Sequence, residues 1–229
     1  HVARRLHKHR LASCSLQSLE SQILGRERVG DVAGADIAAI YLHYLRTGDE
    51  ACLTPIVEHN SLDVVSMFAL VGLYGEPLER WSAAPALAPT DFSAASRVAR
   101  RGNDLDRARV FAEASVARGA GAVGHQARAE VAKARGDKAA ALLEYEAALE
   151  LARASGDSSA ALCDSLRHEL AKLYEHHARA YERAISVVAE GTAEEPAKKS
   201  ARLARLVRKH DKVRLRVAEV EKKRARRRA

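Results

Sequence analysis

The stretch "EHNSLDVVSM" (residues 58–67) decides how the N-terminal part of the chain is read. Ile56, Asn60, Asp63, Met67, Leu70 and Tyr74 follow one another at steps of 4, 3, 4, 3 and 4, the spacing of a core-facing helix stripe. Asp63 stands in the middle of that stripe with Asn60 beside it. A bare carboxylate costs several kcal/mol or more to desolvate, so Asp63 requires water, a cationic partner or a metal ion. His59 lies four residues before it and shares its face. Two readings stand on the residues alone. Either Asp63 pairs with an arginine of the N-terminal segment and His59 is an ordinary partly buried histidine, or the pair handles a metal and its water.

Outward from this helix the punctuation is local. Thr54-Pro55 reads as an N-cap followed by proline at the first helical position. Upstream, "DIAAIYLHYLRTGD" predicts a helix capped by Asp36 and stopped by Gly48, with Ile37, Ile40, Tyr41, Tyr44 and Leu45 as its stripe. "SLQSLESQILG" predicts a short helix from the Ser15 cap to Gly25. "RERVGDVAGAD" between them reads as a loop. The first 13 residues are basic, and His7 and His9 stand two apart, a spacing that on a strand would bring two imidazoles together. No third ligand follows closely, so a solvated helix end is the favoured reading.

The 229 residues suit one or two domains. Aromatics are only 4% while alanine recurs throughout, which favours close helix packing over a β-sandwich. No unbroken apolar run of about 18 residues is present, and no membrane span is expected. Cys14, Cys52 and Cys163 are odd in number and far apart, which points away from a disulfide framework or a zinc cage and toward a reducing, cytoplasmic setting. The chain begins with His1 and its sole methionine is Met67, so it reads as a piece of a longer protein. The net charge of +8 is unevenly spread. Residues 197–229 hold 15 Lys/Arg against 3 Asp/Glu, leaving an acidic balance of −4 on the rest.

Pro77, Pro85 and Pro89 with scattered alanines mark residues 76–96 as a linker. Beyond it the sequence repeats. "NDLDRARVFAEAS" (103–115) and "GDKAAALLEYEAALEL" (136–151) place Asp104 and Asp137 33 residues apart, close to the tetratricopeptide period. Ala108, Ala141, Ala148 and Ala184 are the expected helix-crossing positions, Tyr145 the bulky one. A third unit spans "LAKLYEHHARAYERAISV" (170–187), and residues 97–196 are read as tetratricopeptide-like helical repeats offering a face to a protein partner. In residues 197–229, Leu203, Leu206, Val207 and Val213 suggest a closing helix, with "RARRRA" fraying beyond it. Lys222, Lys223, Arg224, Arg226, Arg227 and Arg228 are candidate phosphate contacts, although no aromatics interleave for base stacking.

"CSLQSLESQILG", "DVAGADIAAIYLHYLRTGD" and "VEHNSLDVVSMFALVGL" together resemble the C-terminal part of the YprB-type ribonuclease H-like domain, a group similar to the DEDD exonucleases. The resemblance covers residues 1–75. It implies a predominantly α chain: the C-terminal helices of an α/β domain, followed by the repeats. It also implies a metal-dependent enzyme in which four acids hold two divalent ions, Mg²⁺ or Mn²⁺, and hydrolyse a phosphodiester of DNA or RNA. Asp63 matches the last of those acids and a metal ligand; His59 matches the preceding residue that positions or activates water; Asn60 belongs to the motif. No Asp-x-Glu on an apolar strand precedes residue 58, so three of the acids lie outside this chain. The expectation is a nuclease fragment that is itself inactive, the alternative a repeat-type interaction scaffold with a degenerate nuclease domain.

Overall fold

The computed structural model describes residues 1–75, 87–156 and 160–228, without the side chains of Lys222 and residues 224–228. All its regular elements are helical, and no strand occurs among the described residues. Two compact units divide the chain, His1–Ala94 and Ala95–Ala229.

In the first unit α1 is Val2–His7, and α2, Leu16–Leu19, continues into a π-helical turn at Glu20–Leu24. Ser15 caps α2 by accepting from the Ser18 N–H at 3.3 Å, and Gly25 ends it in the left-handed conformation (φ 65°). Helix α3 is Ile37–Thr47, stopped by Gly48 at φ 70°. Asp36 precedes α3 but makes no side-chain cap bond. A 3₁₀ turn at Glu50–Leu53 runs directly into α4, Thr54–Gly75. The capping aspartate is therefore Asp49, which accepts from the Ala51 N–H at 3.1 Å, and Thr54 is not the cap its Thr-Pro sequence suggests.

Helix α4 keeps Ile56, Asp63, Leu70 and Tyr74 of the expected stripe inward but departs from it at Asn60 and Met67, whose places His59 and Ser66 take. Ser66 and Leu70 are buried and Ile56, His59, Asp63 and Tyr74 partly so, whereas Asn60 and Met67 are exposed. Leu70 joins Leu19 and Ile23 in a small core with Leu16, Leu73 and Tyr74 around it. Much of the apolar content points out: Phe68 is 73% and Val71 69% exposed, with Val57 and Val65 beside them. The expected stripe of α3 is likewise uncovered at Tyr41 and Leu45. The lack of an unbroken apolar run also misses one property of this stretch. An 18-residue stretch within Glu50–Gly75 has a mean hydropathy of 1.3, so this helix is long and apolar enough to cross a membrane by length and composition.

His7 and His9 are not a metal-binding pair; they serve a buried aspartate. His7 Nδ1 lies 3.1 Å from Asp91 Oδ1 and its Nε2 3.0 Å from the Tyr74 hydroxyl, while His9 Nε2 meets Thr90 Oγ1 at 2.8 Å. Arg10 grips both Asp91 oxygens, the closest contact being 2.7 Å. Burial would raise the Asp91 carboxyl, but the bonds from His7 and Arg10 prevail and hold it at about 2. Asp91 lies in the first turn of α5, Pro89–Arg101, whose first six residues belong to this unit. The linker reading thus fails from Pro89 onward, because that proline occupies the first position of a helix, where it is tolerated. Residues 76–86 of the expected linker lie outside the described residues.

The second unit continues α5 and adds α6 (Leu105–Ala117), α7 (Gly121–Ala134), α8 (Lys138–Ala154), α9 (Ala160–Leu173), α10 (Tyr181–Glu190) and α11 (Pro196–Arg228). From α6 to α11 each helix packs on the next in sequence. The 33-residue spacing recurs as geometry. Asn103 (φ 62°) and Gly136 (φ 86°) take the same left-handed turn. Asp104 and Asp137 then cap α6 and α8 by accepting from the Arg107 and Ala140 N–H groups at 3.0 and 2.9 Å. The third unit departs, because a π-helical turn at Tyr174–Ala178 separates α9 from α10. Ala108, Ala141, Ala148 and Ala184 all have no exposed surface, as their expected crossing positions require.

The π turn places Glu175 where α11 closes the unit. Leu206 joins the core while Arg205 and Lys209 donate to Glu175 at 2.7 and 2.8 Å, and Arg202 donates to Glu194 at 2.8 Å. Arg205 above all, then Lys209, holds the Glu175 carboxyl at about 2 against the opposing effect of burial. Helix α11 runs to Arg228 instead of fraying near "RARRRA", since Lys, Arg, Ala and Glu are good helix formers and neither Gly nor Pro interrupts them.

Replacing Ala141 or Ala148 with leucine should lower stability by about 1–3 kcal/mol in urea titration, because neither site has room for the added atoms. A second expectation concerns acid. Glu175 has a depressed folded-state pKa, so its contribution is fully present above the ordinary glutamate range and is lost as pH falls toward about 2. Urea midpoints measured from pH 7 down to 3 should therefore fall less steeply for Glu175→Gln than for the parent chain.

Candidate functional site

Asp63 and His59 face a loop cation. Arg28 follows the Gly25 stop and is only 3% exposed at its side chain. Its Nε and Nη2 fork onto Glu20 at 2.7 and 2.6 Å, its Nη1 donates to Asp31 at 2.9 Å, and its Nη2 donates also to Asp63 Oδ1 at 2.6 Å. Ser66, one turn beyond Asp63, donates its hydroxyl to the same Glu20. His59 Nδ1 pairs with Asp31 Oδ1 at 2.8 Å, and its Nε2 stands 3.8 Å from Asp63 Oδ2. The inward face of α4 is polar because it closes over this buried guanidinium.

Electrostatics follow from the packing. Burial would push the Glu20 carboxyl up, but the hydrogen bonds from Arg28 and Ser66 outweigh it and hold it below the usual range. The His59 contact, aided by Arg28, lowers Asp31. Arg28 is raised, chiefly by Glu20. Three carboxylates surround one guanidinium, so the cluster keeps an excess of negative charge. Asp63 is its most open member, one third exposed, at the mouth of a cleft of about 390 Å³ that Gln17, Val32 and Gly34 help to line.

Of the residues singled out from sequence, His59 and Asp63 are brought together and Asn60 is left exposed outside the cleft. Lys223 is exposed on α11, while the side chains of Lys222, Arg224, Arg226, Arg227 and Arg228 lie outside the described residues. Sequence reasoning allowed an arginine partner for Asp63 but did not find Arg28, nor Glu20, Asp31 and Ser66. Glu20 carried a usable signal: like Asp63 it is a carboxylate on the apolar side of a short helix, between Leu19 and Ile23.

Residues 1–74 match the RNase_H superfamily. Members generally bind nucleic acid and depend on divalent metal ions. Over 70 residues the chain is also 34% identical to the uncharacterized protein YprB of Bacillus subtilis (strain 168), which amounts to 31% of this chain and 17% of that protein. The chain therefore spans about a sixth of the length of this curated relative. No solved structure matches it.

The residues present do not by themselves fit a divalent ion. Among the described residues no group of three His, Cys, Asp or Glu side chains has the arrangement to hold one. Arg28 already takes Asp63 Oδ1, and its positive charge stands where the carboxylates converge. What the cluster offers is one half-open carboxylate with an imidazole beside it, in a negatively charged cleft. Substituting Arg28 with leucine would leave Glu20 and Asp31 without their cation and should cost about 3–5 kcal/mol. Arg28→Lys keeps the charge but loses the fork and should fall between. Amide hydrogen exchange across α4 measures both, with faster exchange expected in the leucine variant.

Proposed function

We propose that residues 1–75 are the C-terminal helical part of a ribonuclease H-like, exonuclease-type domain in a nucleic-acid-processing protein. Asp63 supplies one acid of its site and His59 an imidazole that handles the attacking water. The observation that carries this reading is the placement of both residues on the inward stripe of α4, within the stretch that matches the superfamily. The remaining acids, and the ions they hold, come from segments other than these. The outward apolar residues of α3 and α4, Leu45 and Phe68 among them, are covered by the rest of that domain. Mg²⁺ or Mn²⁺, held jointly by Asp63 and those other acids, would supply Lewis-acid polarisation of the phosphate and a more acidic water. This chain's own part is narrower: Arg28 orients Asp63 from one side, and Asp31 fixes the His59 ring through Nδ1, directing Nε2 toward Asp63.

Alone, the chain hydrolyses nothing under this reading, since one half-open carboxylate already paired with Arg28 does not hold the ions that the reaction needs. Residues 97–196 act as tetratricopeptide-like repeats that bind a protein partner. A second reading, an interaction scaffold whose nuclease domain has decayed, is favoured by one observation, the guanidinium of Arg28 seated on Asp63.

A longer protein carrying the rest of the domain separates the two. With Mn²⁺ and a labelled oligonucleotide it should show turnover that Asp63→Ala reduces by at least about two orders of magnitude, the usual scale for removing a group that acts in the transition state. Turnover unchanged by Asp63→Ala removes this residue from the site, and no turnover at all leaves the scaffold.

A further inference from the structure

Helix α11 docks within its own unit by a recipe that its outer half repeats without a partner. Leu203, Leu206, His210, Val213, Val217 and Val220 follow at steps of 3, 4, 3, 4 and 3, the a/d spacing of a heptad seam. The first two pack into the core. Beside them Arg202, Arg205 and Lys209 close on the carboxylates of Glu194 and Glu175 at 2.7–2.8 Å. From Asp211 to Glu221 every residue is exposed. Val213, Val217 and Val220 are about half exposed, and Arg214, Arg216 and Lys223 beside them make no ion pair among the described residues.

We infer that this outer seam docks an acidic partner helix, one that presents an apolar stripe flanked by Asp or Glu. Charge decides the occupant. Lys212 to Lys223 contains five basic residues against two acids, so a second copy of the strip would set cations against cations. A lipid surface calls for a broad apolar face with bulky anchors. Here the seam is narrow and purely valine, and Leu215 lies on the opposite side of the helix. Nucleic acid would use the charges but leave the valines without a role. Anchors at i, i+4 and i+7 with basic flanks are what an acidic amphipathic helix reads. The inference is independent of the nuclease reading, since it draws on no residue of the first unit.

The test uses the full chain and a labelled synthetic peptide with leucine at a and d and glutamate at e and g, followed by fluorescence anisotropy. The parent chain should bind it and should bind a control peptide with lysine at e and g at least about tenfold more weakly. Val213→Gln, Val217→Gln and Val220→Gln combined should weaken binding by about three orders of magnitude with helicity unchanged, as each buried valine is worth roughly a factor of ten. Arg214→Glu with Arg216→Glu should shift preference toward the lysine peptide. Three outcomes overturn the inference. Equal binding of both peptides is one, and binding insensitive to the valine substitutions, as for an oligonucleotide held by charge, is another. The third is a dimer in sedimentation that the glutamine variant abolishes, which would make a second copy the occupant.

Discussion

The buried guanidinium of Arg28 is the constraint on which the first unit rests. A cation removed from water must meet anions at hydrogen-bond distance, and Arg28 recruits one from each segment around it: Glu20 from the π turn, Asp31 from the loop and Asp63 from α4. Those three contacts fix the rotation of α4 about its own axis. With the polar residues required inside, the valines and phenylalanine of the same helix have nowhere to go but out. The exposed apolar face and the placement of Asp63 are two results of one electrostatic requirement.

The same solution recurs elsewhere in the chain. Asp91 and Glu175 are buried carboxylates clamped by arginine, each at the start or end of a helix where a chain direction must be set. Glu20 is the third, and in all three the hydrogen bonds outweigh the effect of burial on the carboxyl. A chain poor in aromatics has modest cores: among the described residues of the first unit, Leu19, Ile23 and Leu70 cluster together, and Leu6 and Phe92 are the other large apolar side chains buried. Buried charge pairs contribute less net stability than apolar packing would, but they discriminate sharply between one arrangement and its neighbours.

Much of this was legible because helix ends are written locally. Gly25, Gly48, Asp104 and Asp137 mark their boundaries with no information from farther along the chain. The stripe of α4 was misread at Asn60 and Met67 for the opposite reason. Spacings of three and four admit two stripes one residue apart, through Asn60 and Met67 or through His59 and Ser66. The more apolar one is chosen by pattern, the other by a loop arginine that no periodicity announces. Arg28, which completes the candidate site, was invisible on the same grounds. Pro89 misled because composition alone does not distinguish a linker proline from one that starts a helix.

The fully buried alanines carry a consequence for which substitutions the fold accepts. Ala108, Ala141, Ala148 and Ala184 have no exposed surface inside close-packed helices, so a larger side chain there meets neighbours that must give way. Between them larger side chains such as Phe111, Tyr145 and Leu166 fill the space that the alanines leave. What the packing demands of the sequence thus reduces to small residues at these four positions, with Asp104 and Asp137 capping helices 33 residues apart.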